Sequence, residues 1–149
     1  LTLVKEIMRK DVIVMDGSKS VLEAVKLMAK SDVSSVIVSK DDSIVGIVTE
    51  RDVVRKVVAE QFEPDEILLE NIMTTPLITI SQEATVEDAS KAMVTYGIRR
   101  LPVVDEERLE GIVTATDIAR HVAAEKDYRD SRLNAVARIS PDELPPSYG

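Results

Sequence analysis

Two short runs in this chain of 149 residues have side chains that could do chemistry, and they share one shape. The first is Thr49-Glu50-Arg51-Asp52 and the second is Thr114-Ala115-Thr116-Asp117. Where a strand gives way to a helix, the Thr caps the helix and the Asp three residues on shares its face. An ionised Asp only accepts hydrogen bonds, and its two oxygens can take both hydroxyl hydrogens of a ribose 2′,3′-diol. The helix N-terminus beside it offers free N–H groups and partial positive charge, which favour phosphate. Thr49 or Thr114 can donate its hydroxyl to either group. The plainer alternative is that Thr-x-x-Asp is a capping box and binds nothing. Catalysis has less to stand on. The chain holds no Ser-His-Asp set, no Walker-type Gly-rich loop and no credible acid–base pair. With no Cys and a single His, His121, a thiolate nucleophile is excluded and a metal site is not expected. His121 is expected on the solvent face of a helix. The expectation is a protein that is not an enzyme.

The elements that position these runs come in duplicate. Met73 stands 65 residues after Met8, and at that offset the chain aligns with itself without a gap. Ile13 meets Ile78, Ala24 meets Ala89, Met28 meets Met93, and Gly46-Ile47-Val48-Thr49 meets Gly111-Ile112-Val113-Thr114. Roughly a third of the positions from Ile7 to Glu60 match their partners. Each unit reads as strand, helix, strand, strand, helix. Asp11 to Met15 and Pro76 to Ile80 are β-prone runs. Ser18 or Ser20 in the first copy, and Thr85 in the second, offer N-caps to helices marked by Val21, Ala24, Met28 and Val86, Ala89, Met93. Ser35 to Val38 and Arg100 to Val104 are second strands, and the acidic turns Asp41-Asp42 and Glu106-Glu107 lead to the third. Gly46 and Gly111 lack a side chain where strand and ligand, or strand and helix, must approach closely. The predicted class is α/β (α+β). Helices on one face of each sheet leave the other face apolar, and packing two copies about a pseudo-two-fold axis through their sheets buries it.

Composition narrows the function. The 44% hydrophobic and 31% charged fractions are those of an ordinary globular chain. A net charge of −8 with 3% aromatics disfavours nucleic acid, which wants cationic and stacking surfaces. No apolar run reaches the roughly 20 residues that span a bilayer. A cytoplasmic location is the default expectation.

These residues resemble the CBS domain, which occurs in tandem pairs called Bateman modules. The marks are Gly46-Ile47-Val48-Thr49-Glu50-Arg51-Asp52, Gly111-Ile112-Val113-Thr114-Ala115-Thr116-Asp117 and Ile98-Arg99-Arg100-Leu101-Pro102-Val103-Val104-Asp105. The resemblance divides the chain into repeat 1 over 1–62, a linker over 63–70, repeat 2 over 71–126 and a polar extension over 127–149. It implies the free-standing archaeal or bacterial type, a regulatory module that holds AMP, ADP or ATP, or S-adenosylmethionine or NADH, between the copies. It also implies a disc-like homodimer and an unidentified regulated protein. By the same resemblance Thr49, Asp52, Thr114 and Asp117 meet ribose and phosphate. Adenine lies against Met8, Ile13 and Val33 in one copy and Met73, Ile78 and Ile98 in the other. For each of these six, plain core packing is the competing reading. Arg99 and Arg100 align with phosphate-contacting positions, where the first copy has Ser34 and Ser35, and Arg51 partly makes up for them. A solvated charge is the competing reading for these arginines. The alternative function is a structural dimerisation or protein-interaction module with empty nucleotide clefts.

Overall fold

The computed structural model describes residues 1–125. The polar extension expected over 127–149 lies outside the described residues. Two helices open on reciprocal caps. Ser20 precedes α2 (Val21–Ser31), accepts from the Glu23 N–H at 3.1 Å and donates its own N–H to Glu23 at 3.0 Å. Thr85 and Asp88 do the same for α5 (Val86–Tyr96), at 3.0 Å in both directions. Ser18, the other candidate cap, bonds Asp16 instead. The two helices end alike, on left-handed residues at corresponding positions, Asp32 and Gly97.

Each copy then forms an antiparallel hairpin. In the first, β2 (Ser35–Lys40) pairs with β3 (Ser43–Thr49); in the second, β4 (Arg100–Asp105) pairs with β5 (Arg108–Thr114). Asp41, Asp42, Glu106 and Glu107 all have positive φ, which two-residue turns of the type matching strand twist require. In the first copy β1 (Val14–Asp16) adds in parallel to β2. In the second copy the strand expected over Pro76 to Ile80 shrinks to one bridge, Ile80 to Val103. The cause is one residue. Ile37 donates its N–H to the Ile13 carbonyl at 2.8 Å, whereas its counterpart is Pro102, which has no N–H to give. The following rung survives, with the Val104 N–H on the Ile80 carbonyl at 2.9 Å.

Short helices α1 (Val4–Ile7) and α4 (Leu69–Ile72) precede the two copies, and they are exchanged. One core gathers Val21, Ala24, Met28, Val36, Val38, Val48 and Val57 around Leu69 and Ile72. The other gathers Ala89, Met93, Leu101, Val103 and Val113 around Val4. The N-terminal segment therefore completes the second copy and the segment at 67–74 completes the first. Backbone bonds fix the exchange. Arg9 and Ile112 trade N–H to carbonyl bonds at 2.8 and 2.9 Å, and Thr74 and Ile47 trade them at 2.8 and 3.2 Å. Gly46 and Gly111 lie under these crossings. A Cβ on Gly46 would stand 2.9 Å from the Thr74 carbonyl, and one on Gly111 would stand 2.5 Å from that of Arg9. The close approach expected there is made by chain crossing chain. The stretch over 63–70 is correspondingly no slack tether: Leu69 is fully buried, and the Ile67 and Pro64 carbonyls accept from the Val21 and Leu22 N–H groups. Ile37 and Pro102 belong to neither core yet are less than 2% exposed, so both faces of each sheet are covered.

The second helices differ. After α3 (Glu50–Val53) the first copy widens into a π turn over Val54–Val58, while α6 (Ala115–Glu125) continues as α. With that change of phase Val57 is fully buried, whereas its counterpart Val122 is 38% exposed. His121, expected on the solvent face, has a side chain only 21% exposed and lies 3.2 Å from Glu125.

Candidate functional site

Strands β3 and β5 end on Thr49 and Thr114, and α3 and α6 begin at the next residue, so each Thr-x-x-Asp run straddles a strand-to-helix corner. Both runs are capping boxes. The Thr49 N–H donates to Asp52 Oδ2 at 2.9 Å and the Asp52 N–H donates to Thr49 Oγ1 at 3.3 Å. The corresponding distances for Thr114 and Asp117 are 2.9 and 3.1 Å. Asp52 and Asp117 are the buried charged residues among those described, at 9% and 7% exposure. One oxygen of each, Oδ2, is thus committed to the backbone. Oδ1 is the atom left to meet anything else.

The surroundings of Oδ1 differ between the copies. Around Asp52, Lys56 Nζ stands 3.0 Å from Oδ1 and the Thr74 hydroxyl donates to it at 3.3 Å. Lys56 is pinned by a second bond, to the Ile72 carbonyl at 2.8 Å. Around Asp117, the cation found among the described residues is Arg120, 3.8 Å away with its side chain 70% exposed. Arg9 stands at the position equivalent to Thr74 and bridges Ile112 through its backbone, while its side chain is exposed.

The copies meet where the hairpins begin. Ser35 lies opposite Thr49 and Arg100 opposite Thr114. Arg100 reaches from the second copy to donate to the Ser34 hydroxyl of the first. Its burial pulls the guanidinium pKa below its ordinary value; Glu50 opposes that shift and the neighbouring Arg99 adds to it. Arg100 is therefore a half-buried cation between the copies, while Arg99 and Arg51 are exposed. The apolar residues regroup through the exchange. Ile13, Val33 and Met73 pack on the first core; Met8, Ile78 and Ile98 pack on the second. All six are partly buried and pack against a core. Lys56, Thr74, Ser34 and Glu50 were not legible as site residues. Lys56 carried a faint signal, a cation one helical turn after the Asp. Thr74 carried none, because only the exchange brings it there.

The CBS domain family model matches residues 4–59 and 69–124, and the chain belongs to the CBS domain family as a tandem pair. It is 31% identical over 119 residues to a CBS domain-containing protein of Bacillus subtilis, covering 80% of this chain and 84% of that one. It is 44% identical over 117 residues to an uncharacterized protein of Methanopyrus kandleri, covering 77% of this chain and 60% of that one. It also matches an inosine-5′-monophosphate dehydrogenase of Korarchaeum cryptofilum at 38% identity, over 28% of the enzyme's length. The chain thus spans only part of several relatives. Among solved structures, a protein with CBS domains from Burkholderia ambifaria superposes with a TM-score of 0.78 at 29% identity, over 83% of this chain and 95% of that one. The CBS domain pair of protein MJ0100, in complex with 5′-methylthioadenosine and S-adenosyl-L-methionine, superposes with a TM-score of 0.76 at 32% identity, over 84% and 98%. Among the described residues no helix is long and apolar enough to cross a membrane, and no three His, Cys, Asp or Glu side chains are grouped to hold a metal ion.

Proposed function

We propose that the pair is a regulatory sensor of adenosine-containing ligands, working without catalysis in the cytoplasm. One observation supports this above the others: each copy holds, at the same corner, a nearly buried Asp with one oxygen fixed by the cap and the other left outside it. A carboxylate oxygen so fixed is a pre-ordered acceptor for ribose hydroxyls. Arg99 and Arg100 supply positive charge for a phosphate, and the adenine ring would lie against Met73, Ile13 and Val33 or against Met8, Ile78 and Ile98. AMP, ADP and ATP are the preferred candidates, with S-adenosylmethionine and NADH behind them. Ligand in the cleft would bias the angle between the copies, or the geometry of a homodimer, and so inform an unidentified regulated protein.

The test is calorimetric titration with these five ligands, on the wild type and on Asp52→Asn and Asp117→Asn. Asn keeps the cap through its amide oxygen and turns an NH2 toward the cleft where the ligand needs an acceptor. Binding of at least one ligand, weakened about tenfold or more by one of the two substitutions, supports the sensor. No binding by any of the five, from folded and ligand-free protein, refutes it. A second reading, an interaction module without ligand, is favoured by one fact: Asp52 is already satisfied from within.

A further inference from the structure

We infer that the two clefts are unequal by construction: Lys56 acts as an internal latch that closes the Asp52 cleft, and the Asp117 cleft is the one that takes ligand. This rests on the sensor reading and specifies which of its two sites works. A ribose hydroxyl that approaches Oδ1 of Asp52 meets a carboxylate already paired with Lys56 at 3.0 Å and with the Thr74 hydroxyl at 3.3 Å. To enter, it must expel the ammonium, which also gives up its 2.8 Å bond to the Ile72 carbonyl. Two groups from two segments, the π turn and the stretch following α4, therefore close on one oxygen. The pair joins a nearly buried carboxylate to a lysine whose side chain is 44% exposed, so it is screened less than a pair exposed on both sides.

At Asp117 the counterparts are different. Lys56 corresponds to His121, which turns to Glu125 at 3.2 Å, and Thr74 corresponds to Arg9, whose side chain is exposed. Among the described residues Arg120 is the cation that remains, at 3.8 Å on an exposed side chain that can swing aside or meet a phosphate. The departure of the first copy from α into π geometry over Val54–Val58, the turn that carries Lys56, accompanies the closed state and is missing from α6. Among the described residues the Asp117 carboxylate, though no more exposed than that of Asp52, thus lacks the two short partners that occupy Asp52.

The experiment is calorimetric stoichiometry with AMP, ATP and S-adenosylmethionine as probes on the full chain. The wild type is expected to bind the preferred probe at one site per chain, and Asp117→Asn is expected to weaken that binding at least about tenfold. Lys56→Met keeps the length of the side chain and removes the charge; it is expected to add a second site, which Lys56→Met combined with Asp52→Asn removes again. Two equal sites in the wild type, or binding that survives Asp117→Asn, would overturn the assignment. A ligand-free measurement tests the latch separately. Asp52→Asn and Lys56→Met, singly and together, are compared by thermal unfolding, and strictly additive changes in melting temperature would overturn it. If the latch couples in that cycle yet no probe binds the wild type or Lys56→Met, it is the sensor reading that has failed, and the open cleft with it.

Discussion

At the scale of single residues, the reciprocal cap between Thr114 and Asp117 is a stability element in its own right. Replacing Thr114 with Ala removes the acceptor for the Asp117 N–H. The expected loss is about 1 kcal/mol, read by urea unfolding, and Asp117→Asn should lose less than Asp117→Ala because it keeps the bond from the Thr114 N–H. Asp88 shows the same device at the start of α5. The Thr85 backbone N–H, and then its hydroxyl, hold that carboxyl below its ordinary pKa. A depressed folded value means the contribution is present above the unfolded pKa and fades as pH falls through the folded one, thus below about pH 4. NMR titration should place Asp88 below an unstructured Asp, and Asp88→Asn should flatten the acid limb of stability. These caps were legible in the sequence because their partners sit three residues apart. Lys56 and Thr74 were not, because what brings them to Asp52 is packing between distant segments.

At the scale of elements, the hairpins and capped helices follow from local pattern, and the misses follow from single residues acting through the ladder. Pro102 reads as part of a strand by its neighbours Leu101, Val103 and Val104, and so it is. Its missing N–H acts on the strand beside it, where Pro76 to Ile80 keeps only one bridge. The hairpin turns offer a stability test. Asp41-Asp42 and Glu106-Glu107 occupy left-handed positions that favour Asn followed by Gly. Substituting Asn-Gly at either turn should raise stability by up to about 1 kcal/mol without moving the strands, as unfolding curves and unchanged hairpin NMR contacts would report. The glycines under the crossings behave oppositely. Gly111→Ala would put a methyl group against the Arg9 carbonyl, and the second copy should lose about 2 kcal/mol or more.

At the scale of the whole molecule, the duplication was plain in the sequence, while the exchange of leading segments was invisible to it. The offset of 65 residues is blind to which copy a segment packs on, because Val4 and Leu69 are equivalent and either core accepts an aliphatic there. The exchange makes an unusual deletion outcome the expected one. Removing residues 1–9 should cost amide protection first in the hairpin from Arg100 to Thr114, at the other end of the sequence, while the hairpin from Ser35 to Thr49 holds longer. Hydrogen exchange followed by mass spectrometry would read this directly, and earlier loss in the first hairpin would contradict the packing. A homodimer remains a separate expectation: light scattering at micromolar concentration that gives the monomer mass, with and without AMP, would overturn it.

The crossed segments also bear on how such a chain could come into being. A lone ancestral copy had no neighbour in its own chain to lend it a leading segment, so it could reach this packing only by borrowing one from a second molecule, and its folding would have depended on protein concentration. Joining two copies end to end supplies the borrowed segment at a fixed, high effective concentration, so the first fused gene product could fold at dilutions where its parent could not. Once joined, neither half could be lost without stranding the other. The two clefts were then free to diverge while the scaffold that holds them stayed shared.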